Sequence, residues 1–451
     1  MKFSYQPIPG SITAPKGFRA SAVFCDIKRL GTGKGSNKGK KHDLALIVSE
    51  VPATVAGMFT TNQICAAPVK VCAQRVKKGV AQAIVVNSGN ANACTGKQGM
   101  QDALEMARFT AEAITAVLEG RDKIKAGHVF VGSTGRIGVT MPMANVKAGI
   151  LAAAPLLGQS PDHAEKAAEA IMTSDTRPKQ IAVEFKLGGK PVRLGGICKG
   201  AGMIQPGMSA TGARPAALPQ GLHATMLCFI TTDAAIEAKA LQAALREAVA
   251  QSFNRITVDG DMSTNDTVLV LANGLAGNSK FKVQSSKFKV FQSALNHVCL
   301  ELAKMIVRDG EGVHRVVTVR VAGAKTMQDA DAAARAVANS SLVKTSWHGG
   351  DPNWGRIIDA LGYSAATVVE HKVDIGYSAS GSRKILYSLK RGQPTNATFK
   401  QLCAAAAPKE FDLHINLNLG QANAIMYAAD LTEKYVDYNK GDVTDPTTLG
   451  G

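Results

Sequence analysis

The chain has 451 residues, is 45% hydrophobic and 19% charged, and holds no apolar run of the roughly 18 positions that a membrane helix needs. It reads as a folded, soluble protein with core enough for two or three domains, which excludes disordered and helical-membrane classes. Its 52 Lys and Arg against 35 Asp and Glu give a net charge of +17, a balance that fits a nucleic-acid surface or a bias toward anionic ligands.

In chain order, MKFSYQPIPGS opens without an apolar signal-peptide core or an Arg/Ser-rich amphipathic pattern, so no targeting signal is read and the expected location is the cytoplasm. The densest basic run, KRLGTGKGSNKGKK (28–41), is Gly/Ser-rich and has no aromatics for base stacking. It is predicted to be a solvated loop, and neither nucleic acid nor membrane is expected as a partner. Strand-like runs at 43–49, 82–87, 267–272, 315–323 and 411–420 alternate with amphipathic stretches at 100–120, 162–175, 234–253 and 289–309, which predicts an α/β fold. IQPGMSATGARPAALPQGLH (204–223) lacks apolar periodicity and is predicted as a loop that delivers the chain to Ala224 and Thr225. The run that follows, TMLCFIT, is by itself an ordinary buried strand.

Polar, Gly-rich clusters stand where strand-like runs end: NSGNANACTG (87–96), VGSTGRIG (131–138), CKGAGMI (198–204), DGDMSTNDT (259–267), RDGEGVHR (308–315) and DPNWGRIIDALG (351–362). Any one is explained as a turn. Six together point to the lining of one polar cleft. The eight cysteines, Cys25, Cys65, Cys72, Cys94, Cys198, Cys228, Cys299 and Cys403, include no CxxC pair and no Cys/His cluster at zinc spacing, so reduced thiols and no metal site are expected.

These clusters, in this order, resemble the ornithine acetyltransferase (glutamate N-acetyltransferase) family of arginine biosynthesis from about residue 7 to residue 444. The resemblance implies a layered α/β sandwich of N-terminal-nucleophile type. It implies a precursor that cuts itself at an Ala-Thr bond, here Ala224-Thr225 in HATMLCFITTDA, to give an α chain of residues 1–224 and a β chain of 225–451. Thr225 is preferred over the second pair, Ala210-Thr211, because only Thr225 precedes an apolar strand. Carried over residue by residue, the family places the oxyanion hole on the Thr134 hydroxyl and the Gly135 N–H. Its substrate contacts fall on Thr173, Lys199, Thr225, Glu311, Asn439 and Thr444. The implied reaction moves an acetyl group from N2-acetyl-ornithine to glutamate without a cofactor, in associated α and β chains forming an (αβ)2 heterotetramer, and acetyl-CoA stays open as a further donor.

The residue types suit that chemistry. A threonine hydroxyl is a weak nucleophile that needs a base, and the α-amine of an N-terminal threonine can serve as one. In the uncut precursor that amine is an amide, so the precursor is expected to be inactive. Residues alone also fit an N-terminal-nucleophile aminopeptidase or amidase, which would hydrolyse the acyl-enzyme instead of passing it on.

Overall fold

The computed structural model describes residues 5–28, 41–118, 123–212 and 226–440. Nine strands form the first sheet. Its path runs β1 (Gln6–Pro7), β6 (Lys179–Leu187), β7 (Lys190–Lys199), β8 (Leu227–Thr232), β10 (Thr267–Ala272), β3 (Leu44–Phe59), β4 (Val80–Asn90) and β5 (Val129–Arg136), with β2 (Phe18–Val23) also paired to β3. β8 and β10 run parallel, as do β4 and β5.

β8 explains the apolar run. Its side chains alternate between two cores: Cys228 and Ile230 pack with the helices Ala238–Ala250 and Ser286–Arg308, while Leu227 and Phe229 pack with the helix Pro161–Ala170 on the other face. A strand covered on both faces has no polar side to show, so it reads as continuous hydrophobicity. Each large apolar side chain so buried stabilises the fold by roughly 1.5–3 kcal/mol. The first sheet is therefore the middle layer of an α/β sandwich.

The second sheet has seven strands in the order β14 (Gln393–Pro394), β13 (Leu386–Lys390), β12 (Asp374–Ala379), β15 (Glu410–Asn416), β11 (Val316–Ala324), β16 (Ala422–Ala429), β9 (Ile256–Thr257). Its core joins Val319, Leu413 and Met426 to Ala333 and Val337 of the helix Met327–Asn339. Ala429 at the end of β16 packs into the cluster around Ser286–Arg308, so the second sheet abuts that helix.

The strand predicted at 267–272 has the observed bounds. That at 43–49 is far longer in the structure. β3 continues to Phe59 because the register shifts between Val48 and Ala53, and this irregularity accommodates Pro52, which has no N–H to donate. The helix predicted at 162–175 ends at Ala170, since Thr173 and Asp175 turn away to make polar contacts. The predicted loop 204–223 is irregular where described, to residue 212, and its Ser209 bridges to Phe59. Most of the basic run 28–41 lies outside the described residues.

Candidate active site

The ends of β4 and β5 meet through their glycines. Gly89 stands opposite Gly135, and Ser88 opposite Thr134. Gly135 has φ +131°, and a Cβ there would sit 2.2 Å from the carbonyl carbon of Gly89. Only glycine allows this close approach. Asn265, from DGDMSTNDT, donates to Ala91 O at 2.7 Å and to Ser133 O at 2.8 Å, and Ser133 Oγ donates to Asn87 Oδ1 at 2.6 Å. Three of the six polar clusters are thus joined around Thr134, which is itself buried.

Lys199 is the hub. At the end of β7 it is 2% exposed, and its Nζ donates to Thr173 Oγ1 at 2.7 Å and to Thr134 Oγ1 at 3.2 Å. Because the Thr134 oxygen accepts from an ammonium, its own proton is free to donate elsewhere. Burial lowers the Lys199 pKa, against the pull of the carboxylate of Asp175, whose Oδ2 lies 4.0 Å away.

Asp175 continues an alternating array of charges. Lys179 Nζ lies 2.5 Å from both Asp175 Oδ1 and Asp309 Oδ2, and Gly200 N–H donates to Asp175 Oδ1 at 2.7 Å. Burial alone would raise the Asp175 pKa, but the Lys179 and Lys199 ammoniums hold it at about 2. A carboxyl held below its ordinary 3.8 contributes stability that is complete above pH 3.8 and is lost as pH falls toward about 2. Asp175→Asn leaves buried lysine charge under-compensated. It is expected to destabilise by about 3–5 kcal/mol at neutral pH and to flatten the acid limb of stability, both checked by urea unfolding across pH 2–7.

Glu311, from RDGEGVHR, is tied to the KGAGM loop. Its N–H donates to Ala201 O at 2.8 Å, and its carboxylate takes the space a Cβ on Gly202 would need, 2.3 Å from that position. Asn439, in the short helix Glu433–Asn439, donates from Nδ2 to Glu311 Oε2 at 2.9 Å. Asp259 accepts from the N–H groups of Met203 and Ile204 at 2.5 and 2.7 Å and from Tyr435 Oη at 3.2 Å, joining the same loop to that helix. Gly202→Ala is expected to leave the fold intact while displacing the flexible Glu311 side chain. Steady-state kinetics should then show a KM raised about tenfold with little change in kcat.

Ala224, Thr225 and Thr444 lie outside the described residues. The residue after Thr225, Met226, is buried and donates its N–H to Asp266 Oδ1 at 2.6 Å. Leu227 stands opposite Lys199 on one side and Thr267 on the other. The described segment that begins at Met226 therefore enters the sheet beside Lys199. Burial pushes the Asp266 carboxyl well above the ordinary carboxylate range, and among the described residues its Oδ2 has no hydrogen-bond partner. Sequence reading passed over Asp266, because nothing in DGDMSTNDT separates it from a turn aspartate.

Five of the six clusters are linked in this way. The sixth, 351–362, is not part of the site. Its residues Trp354–Gly362 form a helix capped by Asn353, its Ile357, Ala360 and Leu361 join the core of the second sheet, and Arg356 bonds Leu342 and Thr345. The Gly/Pro/Asn signal there marks a helix start.

A model of the ArgJ family matches residues 25–442. The chain is 47% identical over 434 residues to the arginine biosynthesis bifunctional protein ArgJ of Symbiobacterium thermophilum, covering 96% of this chain and 98% of that protein. It is 43% identical over 437 residues to the glutamate N-acetyltransferase of Methanocaldococcus jannaschii, with the same coverage of each. Among solved structures, the ornithine acetyltransferase of Mycobacterium tuberculosis complexed with ornithine is 35% identical over 46% of this chain and 100% of that one, with a TM-score of 0.41. A match across nearly the whole chain, at this identity to relatives of the same length, makes the protein a member of the ArgJ family.

Proposed function

We propose that the protein is a self-cleaving acetyltransferase that moves the acetyl group of N2-acetyl-ornithine to glutamate through an acetyl-enzyme at Thr225. The observation that carries this reading is the meeting of Lys199, Thr134 and Gly135 beside the strand that Thr225 leads into. In the precursor, Thr225 Oγ attacks the Ala224 carbonyl and the amide becomes an ester. Water opens the ester, leaving a carboxylate on Ala224 and a free α-amine on Thr225. That amine, which titrates near pH 8, then takes the hydroxyl proton as Oγ attacks the acetyl carbonyl. The Thr134 O–H and Gly135 N–H donate to the oxyanion, and ornithine leaves with the proton on its amine. The glutamate amine attacks the ester in turn and restores Thr225.

Lys199 has three N–H donors and gives two to threonines, so one remains for a substrate carboxylate. Glu311, held by Asn439, offers a partner for the substrate cation, with Thr173 and Thr444 completing the contacts. Cleavage before β8 puts two β-chain strands, β8 and β10, between α-chain strands of one sheet. The chains then separate only by unfolding that sheet. The proposal extends to an (αβ)2 assembly in the cytoplasm that needs no cofactor.

Initial rates with both substrates varied test it. Parallel double-reciprocal lines are expected, because ornithine leaves before glutamate reacts. Intersecting lines contradict the covalent route, and acetylornithine hydrolysis at an unchanged rate without glutamate would favour an amidase. The same assay with acetyl-CoA in place of acetylornithine reads whether it is a second donor.

A further inference from the structure

His314, His348 and Asp430 come from three separate segments and meet at one point. His314 precedes β11, His348 lies in the last turn of the helix Ser341–Gly349, and Asp430 follows β16. One donor atom from each lies within 4.8 Å of the others. Asp430 Oδ2 is 3.5 Å from His348 Nδ1 and 3.9 Å from His314 Nδ1, and the two imidazoles meet edge to face with centroids 5.6 Å apart. Asp430 is 4% exposed, yet among the described residues neither its Oδ2 nor His348 Nδ1 has a hydrogen-bond partner. An unmet buried carboxylate oxygen is costly, so the arrangement calls for an explanation.

The surroundings supply one. On its other edge His348 Nε2 is 3.0 Å from Glu433 Oε2, and the tautomer that donates there turns a lone pair on Nδ1 toward Asp430. Two lone pairs facing each other want a cation between them. The neighbouring side-chain cations direct their hydrogen bonds away from Asp430 Oδ2: Lys344, although it feels the Asp430 charge, bonds the Ala429 carbonyl, and Arg315 bonds the carbonyls of Trp347 and His348. Asp430 is meanwhile fixed in place, accepting from His314 N–H at 3.0 Å through Oδ1 and donating its own N–H to Arg315 O at 3.0 Å.

We propose that His314, His348 and Asp430 bind a late first-row divalent cation of the Zn2+ class, with Glu433 orienting His348. Two imidazoles and a carboxylate are a ligand set that such ions favour, and a carboxylate behind a ligating histidine fixes its tautomer. Tetrahedral ligands around Zn2+ stand roughly 3.4 Å apart, so the 3.5 and 3.9 Å from Asp430 are near that spacing, and the two imidazoles, whose donor atoms lie within 4.8 Å, close on each other by a swing of the exposed His314 ring. Water takes the fourth position. The ion fastens the end of β16 to the start of β11 and to the helix carrying His348. The site is not legible in the sequence, because its ligands are separated by 34 and 82 residues (348 − 314 and 430 − 348) and form no short metal motif.

Chelator-treated full-length enzyme titrated with Co2+ and Zn2+ tests this. The expected result is one equivalent of Co2+ with a visible absorption band that Zn2+ displaces. His348→Ala and His314→Ala should each weaken binding at least tenfold, and Glu433→Gln should weaken it about tenfold to a hundredfold. Cys94→Ser, at an exposed thiol, should leave it unchanged. His314 is exposed, so its variant keeps the test decisive even where Asp430→Asn misfolds. Failure of the wild type to bind either ion, or undiminished binding by a His314→Ala/His348→Ala double variant, would overturn the proposal. So would Glu433→Gln binding with wild-type affinity, since a plain charge cluster predicts that.

Discussion

Thr225→Ala is expected to remain a single 451-residue chain and to lose transferase activity by on the order of 10⁶-fold, the scale seen when a covalent nucleophile is removed. Both losses have one cause, since the same hydroxyl opens the Ala224–Thr225 bond and later carries the acetyl group. The fold should survive: β8 starts two residues on, anchored by the Met226 N–H on Asp266 and by full burial from Leu227 to Thr232. Thr225→Ser keeps a hydroxyl and should retain slow cleavage. A denaturing gel with N-terminal sequencing checks the cleavage, a transferase assay the activity, and circular dichroism the fold. Processing of Thr225→Ala at the wild-type rate would remove the proposed nucleophile, and a new terminus at Thr211 would show that Ala210-Thr211 is the bond cut.

Thr134→Ala is expected to lower kcat about 10²–10³-fold while moving KM little, the signature of a donor that acts on charge present only in the transition state. The geometry makes Thr134 suitable: its oxygen already accepts from Lys199 Nζ, which leaves the hydroxyl proton for the oxyanion. Thr134→Ser keeps that arrangement and should recover most of the rate. Steady-state kinetics on the processed enzyme separates the outcomes. A KM effect alone would make Thr134 a ground-state contact.

The parts of the fold legible in the sequence are those where one local pattern decides. TVLVLA and LCFITT are strands buried on both faces, and continuous hydrophobicity with β-branched residues announces them. The long helix Ser286–Arg308 is announced by its apolar periodicity. The continuation of β3 past Pro52 was not legible, because it depends on a register shift that its partner β4 accepts. The candidate site divides in the same way. Thr134, Gly135, Thr173, Lys199, Glu311 and Asn439 are legible from motif resemblance; the fold gathers the first three around Lys199 and ties Glu311, with Asn439, to the loop that follows it. Asp266 and the Asp175–Lys179–Asp309 array were missed, since each owes its character to burial among residues distant in the chain. The segment 351–362 misled for the converse reason: Pro352, Asn353 and Gly355 open a helix whose apolar face is committed to the second sheet's core.

The most direct test of the central claim is the intact mass of the 225–451 chain after processed enzyme meets N2-acetyl-ornithine with no glutamate present. The account predicts one added acetyl group on that chain, mapped by peptide sequencing to Thr225, with free ornithine released in equal amount. An unmodified chain, with ornithine appearing only once glutamate is added, would contradict it.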